Sequence, residues 1–337
     1  MKQQGLKTLV ATMIGLGPIF SYLTGMMQIH GTIAQDSLTR FAPSPTGWLH
    51  LGHVASSMFV WGVAGRCGAK VLLRSEDHDQ SRSRREYEVG IFNDLAWLGL
   101  NHANATFNAD QPADFRQSDA TPRYLAAVEV LRKNFLVYGC DCSRQVIARD
   151  MPQRPDGGVA EELCYNGRCR SRGLALDQPG VGWRVEIPQQ EQTFNDLLLG
   201  PQQQVPARQC GDLLLRDRHG QFTYNFAVVV DDLEHDVNLI IRGQDLTAAT
   251  GRQLWLAAAL GGPRRQMQYL HHPLIVDAQG QKLSKRFLSE GLAARRARGE
   301  SPEQVLGLAA HLVGLQPRPS PIGATELPSL FQLETHV

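Results

Sequence analysis

His50 and His53 stand three residues apart at the end of Arg40-Phe-Ala-Pro-Ser-Pro-Thr-Gly-Trp-Leu-His-Leu-Gly-His, where a strand-like stretch runs through Pro and Gly into a helix-like one. Residues three apart on a helix share a face. The first turn of a helix offers unpaired N–H groups and the positive end of its dipole to an anion. Two imidazoles there can donate hydrogen bonds to phosphate oxygens as charge builds up, and Gly52, without a side chain, lets a nucleotide approach the backbone. An isolated histidine pair at this spacing is more often capped or solvated; the RFAPSPTG before it gives it weight. Lys282-Leu-Ser284-Lys285-Arg286 follows two strand-like pieces joined at Asp277-Ala-Gln-Gly280. Alone it is a solvated charge run, but a basic loop after a hairpin suits a clamp that closes on a triphosphate and then releases pyrophosphate. His50, Gly52, His53, Lys282, Ser284 and Lys285 are therefore the candidates for holding a triphosphate nucleotide, with His50, His53 and Lys285 best suited to meet charge that builds up on it.

Cys140-Asp-Cys142 and Cys164-Tyr165-Asn-Gly-Arg-Cys169 form two close sulfur-bearing groups separated by a loop. Four ligands near tetrahedral geometry make a structural zinc site, and metal chemistry alone selects the four cysteines, since thiolate binds zinc better than phenol. Unconnected free thiols are the plainer alternative. Cys67 and Cys210 carry no partner signal and read as small buried residues. Six cysteines in 337 residues are too few for a disulfide scaffold. Reduced, metal-binding thiols point to the cytoplasm.

In this order, RFAPSPTGWLHLGH and KLSKR resemble the HIGH and KMSKS signatures of the class I aminoacyl-tRNA synthetases. LLRSEDHDQSR, TYNFAVVVDDLEHDVNLIIRGQDL and YLHHPLIVDAQGQKLSKR are similar to the glutamyl branch of that family, and the likeness runs from Leu38 to Leu315. Leu51 replaces the Ile of HIGH and Leu283 the Met of KMSKS, both conserving size and polarity; Arg286 replaces the final Ser and adds charge. The resemblance implies activation of glutamate by ATP with Mg²⁺. It implies glutamate contacts from Arg40, Phe41, Ala42, Pro43 and Ser44, with Glu76 taking the ammonium and Tyr224 and Arg242 completing the pocket. It also implies a Cys-x-Cys pair with Tyr-x-x-x-Cys around one structural Zn²⁺ per chain: Cys140, Cys142, Tyr165 and Cys169, with Cys164 in place of Tyr165 as the runner-up. From Phe287 to Val337 there is room for a helix such as SPEQVLGLAAHLVGL (301–315), but not for an anticodon-binding domain of ~100 residues. Family members of this shorter form attach glutamate to the queuosine base in the anticodon of tRNA(Asp). The expected partners are thus ATP, L-glutamate and tRNA(Asp) carrying queuosine. A ligase charging a tRNA 3′ end, another adenylate-forming ligase and a catalytically inactive RNA-binding paralogue are the alternatives.

The elements that must position these residues alternate in kind. LTRFA (38–42) and KVLLRSED (70–77) read as strands; His50 to Cys67, 84–100 and 121–139 read as helices; FAVVVDD (226–232) and NLIIRG (238–243) return as strand-like runs before the helix-like 246–260. The fold class is therefore α/β, a doubly wound parallel sheet of Rossmann-like type. Its parts are an extension at 1–36, the two halves of a nucleotide-binding domain at 37–139 and 211–290, an inserted zinc subdomain at 140–210, a helical part at 291–316 and a disordered tail at 317–337. The extension resembles a signal peptide with Thr32-Ile33-Ala34 as a cleavage site, but the cytosolic chemistry downstream favours a true start at Met26 or Met27. No other segment reads as a membrane span, and the chain reads as a monomer. With 42% apolar and 20% charged residues, disorder, collagen and coiled coil are excluded as the main description. A net charge of +1 carries no global nucleic-acid signature, so any basic face is local.

Overall fold

Short apolar runs alternate with longer helical ones, and the computed structural model converts that alternation into an α/β body; it describes residues 20–21, 26–104, 106–108, 110, 115–151, 162–276 and 290–334. In chain order come β1 (Met26–Ile29), β2 (Leu38–Phe41), α1 (Leu51–Cys67), β3 (Lys70–Leu73), α2 (Arg85–Leu98) and α3 (Thr121–Asn134). Next are β4 (Val137–Cys140), α4 (Arg144–Asp150), β5 (Gly182–Val185), β6 (Gln192–Asp196), β7 (Gly200–Gln204) and β8 (Leu213–Arg216). Then follow α5 (Tyr224–Glu234), β9 (Leu239–Gly243), α6 (Thr250–Ala259), β10 (Gln268–His272), α7 (Leu292–Ala297), α8 (Pro302–Leu312) and β11 (Phe331–Leu333).

β2 and β3 pair in parallel, Arg40 opposite Leu72, and β9 and β10 pair in parallel, Arg242 opposite His271. β10 meets β6 in parallel at Tyr269 and Asp196, and β6 turns back as an antiparallel hairpin with β7. The two halves join where Asn238 donates its N–H to Leu38 O at 3.0 Å and accepts the Leu38 N–H on Oδ1 at 2.8 Å. Further along, the Arg40 side chain spans the seam, NH1 donating to Ile241 O at 3.4 Å. α1 starts at a His50 cap and stops at Gly68, whose φ of 75° is the left-handed conformation that glycine adopts without strain. Its buried face, including Val54, Met58, Phe59 and Val63, lies in the main apolar core.

Several sequence expectations need correction. FAVVVDD is not a strand but most of α5: Phe226 through Asp232 are all buried, so the helix lacks the polar stripe that would have betrayed its period. The helix expected over 121–139 ends at Asn134, because Phe135 leaves the helical region and the next residues form β4. β4 forms an antiparallel sheet with β5 and β8, so the inserted sheet draws on residues on both sides of 140–210. β6 and β7, expected inside the insertion, extend the main sheet instead.

Residues 317–334 of the expected disordered tail are ordered. A 3₁₀ turn at Ala324–Leu330 leads into β11, which pairs in parallel with β1, Phe331 opposite Met27. Leu327 and Phe331 are fully buried, and a methyl group at Gly62 or Gly65 of α1 would collide with Phe331 or Pro328. Glu334 closes the contact, 2.7 Å from His30 Nδ1 and accepting the Gly31 N–H at 3.0 Å. From Met26 onward the supposed extension is therefore part of the body, with Met27 and Ile29 fully buried. α8 falls within the helix expected at 301–315, opened by a Ser301–Gln304 capping box. Among the described residues, no helix is long and apolar enough to cross a membrane.

Candidate active site

A cavity of about 290 Å³ opens at the C-terminal ends of β2 and β9, the place where an open α/β sheet presents a ligand crevice. Arg40 through Pro43 enter it from β2 and the turn after it, His53 and Ser56 from α1, Glu76 from the exit of β3, Tyr224 from the start of α5 and Arg242 from β9. A larger surface groove of about 690 Å³ lies between α3 and α5, but it holds none of these groups, and the convergent charges select the smaller cavity.

Beneath the cavity the charges are matched. Arg40 Nε donates to Asp232 at 3.1 Å, Arg74 NH1 reaches the same carboxylate at 2.8 Å, and Arg74 NH2 lies 3.2 Å from Glu76. Asp231 receives Arg123 at 2.9 Å and the Tyr124 hydroxyl and Gln117 amide at 2.8 Å each. Burial opposes the Asp232 charge, but Arg40 and Arg74 outweigh it and hold that carboxyl below its usual range. At Glu76 burial wins: its pKa is raised although Arg74 and Arg40 pull the other way. Burial raises the Tyr224 phenol too.

Arg242 is different. It is buried, Nε donating to His271 Nε2 at 3.1 Å, NH1 to Gln253 Oε1 at 2.6 Å and NH2 to Thr250 Oγ1 at 2.8 Å. All three partners are uncharged, and among the described residues Arg242 makes no ion pair with a carboxylate. The cavity thus holds a cationic group, Arg242 on β9, together with an acidic one, Glu76 in the segment after β3.

His50 caps α1 with Nδ1, accepting the Gly52 N–H at 3.1 Å, and its own N–H donates to His53 Nδ1 at 3.2 Å. With Nδ1 occupied as acceptor, each neutral ring carries its proton on Nε2. The ring centroids are 4.0 Å apart. Burial, with His50 beside it, pushes His53 down to about 3, so it stays neutral. A Cβ on Gly52 would sit 2.9 Å from His50 Cε1. Its bareness therefore makes room for the capping ring, a reason the sequence reading did not contain.

Cys140, Cys142 and Cys169 bring their sulfurs within 4.8 Å of one another. The Tyr165 hydroxyl lies 3.5 Å from Cys140 Sγ and accepts the Cys169 N–H at 2.9 Å. Cys164 is not part of this group; its Sγ is 3.6 Å from Arg208 O. Arg184 Nε and Arg172 NH1 each donate to a sulfur, Cys140 and Cys169, at 3.4 Å. Three sulfurs, a phenol oxygen and two guanidinium groups that offset surplus negative charge suit a tetrahedral zinc ion.

Of the residues nominated from the sequence, Arg40, Phe41, Ala42, Pro43, His53, Glu76, Tyr224 and Arg242 line the one cavity. His50 and Gly52 lie at its helix start. Ser44 does not line it; its carbonyl accepts the Thr46 N–H at 2.8 Å. Lys282, Ser284 and Lys285 lie outside the described residues. The sequence reading missed Arg74, Asp231 and Asp232, whose signal was a charge embedded in an apolar run. It also missed Asp196, Thr250, Gln253 and His271, for which sequence offers no comparable signal.

Comparison with known proteins shows the family to which the fold belongs. Residues 37–318 match the family described as class I tRNA synthetases (E and Q), catalytic domain. A glutamyl-Q tRNA(Asp) synthetase of Symbiobacterium thermophilum is 36% identical over 301 residues, 87% of this chain and 92% of that protein. One of Nitratidesulfovibrio vulgaris is 37% identical, covering 82% of this chain and 86% of that protein. A glutamate–tRNA ligase 2 of Cereibacter sphaeroides is 35% identical, covering 83% of this chain but 62% of the ligase. The crystal structure of a glutamate–tRNA synthetase from Elizabethkingia anophelis superposes with a TM-score of 0.71 at 23% identity, over 88% of this chain and 66% of that one, a likeness of fold.

Proposed function

Since the chain belongs to the class I aminoacyl-tRNA synthetases of the glutamyl and glutaminyl branch, we propose that it activates L-glutamate with ATP and transfers it to the queuosine base in the anticodon of tRNA(Asp). Arg242 carries the choice of amino acid: it is a buried guanidinium without an acidic partner among the described residues, in one cavity with Glu76. Glutamate brings one ammonium and two carboxylates. Glu76 takes the ammonium, Arg242 and Tyr224 the side-chain carboxylate, and Arg40 with the backbone from Phe41 to Pro43 holds the reacting end.

An oxygen of the α-carboxylate attacks the α-phosphorus of ATP; the bond to the bridging oxygen breaks and pyrophosphate leaves. His50 and His53 donate through Nε2–H to the triphosphate, Gly52 gives the His50 ring its place, and Lys282, Ser284 and Lys285 supply charge and hydrogen bonds to the phosphates, with Mg²⁺ accompanying ATP. No protein nucleophile is required, so catalysis is positioning plus electrostatics. A hydroxyl of the queuosine cyclopentenediol then attacks the adenylate carbonyl, AMP leaves with the electron pair, and the hydroxyl proton passes to solvent. Cys140, Cys142, Tyr165 and Cys169 hold one zinc ion that braces the inserted sheet and takes no part in either step. Metal held by reduced thiols suits a cytoplasmic protein, and the working unit is proposed to be a monomer.

The choice of acceptor rests on the relatives that carry the glutamyl-Q name and are matched over 92% and 86% of their own length. The test is transfer of labelled glutamate to tRNA(Asp) with and without queuosine, followed by nuclease digestion. Label on an anticodon-loop fragment, dependent on queuosine, is the expected result. Label on the terminal adenosine would replace this reading with that of a ligase charging the 3′ end.

A further inference from the structure

We infer that Asp196 and His271 are positioning residues that set glutamate specificity by aiming Arg242, a role resting on the reading of Arg242 as the side-chain carboxylate contact. The two are 75 positions apart and both fully buried. They meet because β6 and β10 run in parallel with Asp196 opposite Tyr269. Asp196 Oδ1 accepts the N–H groups of Leu198 and Leu199 at 2.9 Å each, which fixes the carboxylate at the end of its strand. Its Oδ2 lies 3.1 Å from the His271 N–H and 2.6 Å from His271 Nδ1.

A carboxylate only accepts, so Nδ1 carries the proton and Nε2 presents a lone pair. That lone pair receives the Arg242 Nε–H. Thr250 Oγ1, which accepts from Arg242 NH2, is also 3.1 Å from Nε2. Together with Gln253 at NH1, the protein engages three of the five guanidinium N–H groups, leaving one on each terminal nitrogen for a planar, two-pronged acceptor. Asp196 thus fixes the guanidinium through a neutral ring without touching it. A carboxylate in direct contact would have filled the fork meant for the substrate. An aimed, unfilled fork favours glutamate over glutamine, whose amide presents one acceptor and turns N–H donors toward other donors.

Asp196→Asn is nearly isosteric but inverts the logic. An amide donor facing Nδ1 forces the proton onto Nε2, where it opposes the Arg242 Nε–H. His271→Leu removes the acceptor, while His271→Gln restores one near the Nε2 position. ATP–pyrophosphate exchange, with KM measured for glutamate and ATP and glutamine as competitor, tests the relay. We expect Asp196→Asn and His271→Leu to raise the glutamate KM about tenfold or more and to weaken discrimination against glutamine. The ATP KM should stay within about twofold, and His271→Gln should recover most of the glutamate KM. If Asp196→Asn fails to fold, the two His271 variants decide. An unchanged glutamate KM in variants of a glutamate-dependent enzyme overturns the relay alone, as does an equal rise in both KM values. Absence of glutamate-dependent exchange in the unaltered chain overturns the underlying reading of Arg242 instead.

Discussion

Burial decides the protonation state of two histidines near the cleft. His53 is pushed down to about 3, and burial lowers His272 to about 4 while its ring stacks on Phe59 with centroids 4.6 Å apart. Both are neutral when folded and titrate near 6.5 when unfolded. Their stabilising contribution is therefore fully present above about pH 6.5 and is lost as pH falls toward about 4 for His272 and about 3 for His53. Denaturant titrations between pH 7 and 4 should show stability falling with acid by at most about 1.4 kcal/mol per pH unit for each such group. His272→Gln should flatten that slope by about one histidine; an unchanged slope would show that His272 is not held neutral. At Lys285 the expectation is kinetic. Lys285→Ala should slow adenylate formation at least ~10²-fold, the effect of losing one charge contact to a transition state, and should leave glutamate KM nearly unaltered. Undiminished pyrophosphate exchange would remove Lys285 from the mechanism.

Among the elements, the inserted sheet is expected to depend on its sulfur cluster, since β4 delivers Cys140 while Cys142, Tyr165 and Cys169 come from loops. Purified protein should contain about one zinc per chain, and Cys140→Ser should lose it and loosen the 140–170 segment, read by metal analysis and limited proteolysis. Tyr165→Phe should lower zinc retention and Cys164→Ser should not; the reverse result would exchange their roles. The elements legible in sequence were those with one polar face or a clear stop: β2, α1, β3 and α2 lie within a few residues of expectation. α5 was not legible, since burial nearly all round erases the helical period and β-branched residues imitate a strand. The site divided likewise. His53, Glu76, Tyr224 and Arg242 could be nominated from local motifs. The Asp196–His271 contact arises from the register of two strands far apart in sequence, and a single sequence does not encode that visibly.

For the whole molecule, the packing of residues 324–334 under α1 ties the far end of the described chain to the helix that carries His53. Phe331 is fully buried against Gly62 and Phe59. Phe331→Ala should cost about 3–5 kcal/mol by removing a packed ring, measurable as a drop in thermal midpoint, and Gly62→Leu should do comparable damage from the opposite side. Retention of the unaltered midpoint in Phe331→Ala would show that the tail is not part of the stable core. The same contact sets a schedule for the living cell. His30 and Glu334 meet across 304 positions, and a ribosome adding about 5–20 residues per second needs roughly 15–60 s to cover that distance. For most of that interval α1 has been made while the residues that cover its underside have not, so the apolar face of the helix that carries His53 stays open until residues 324–334 follow.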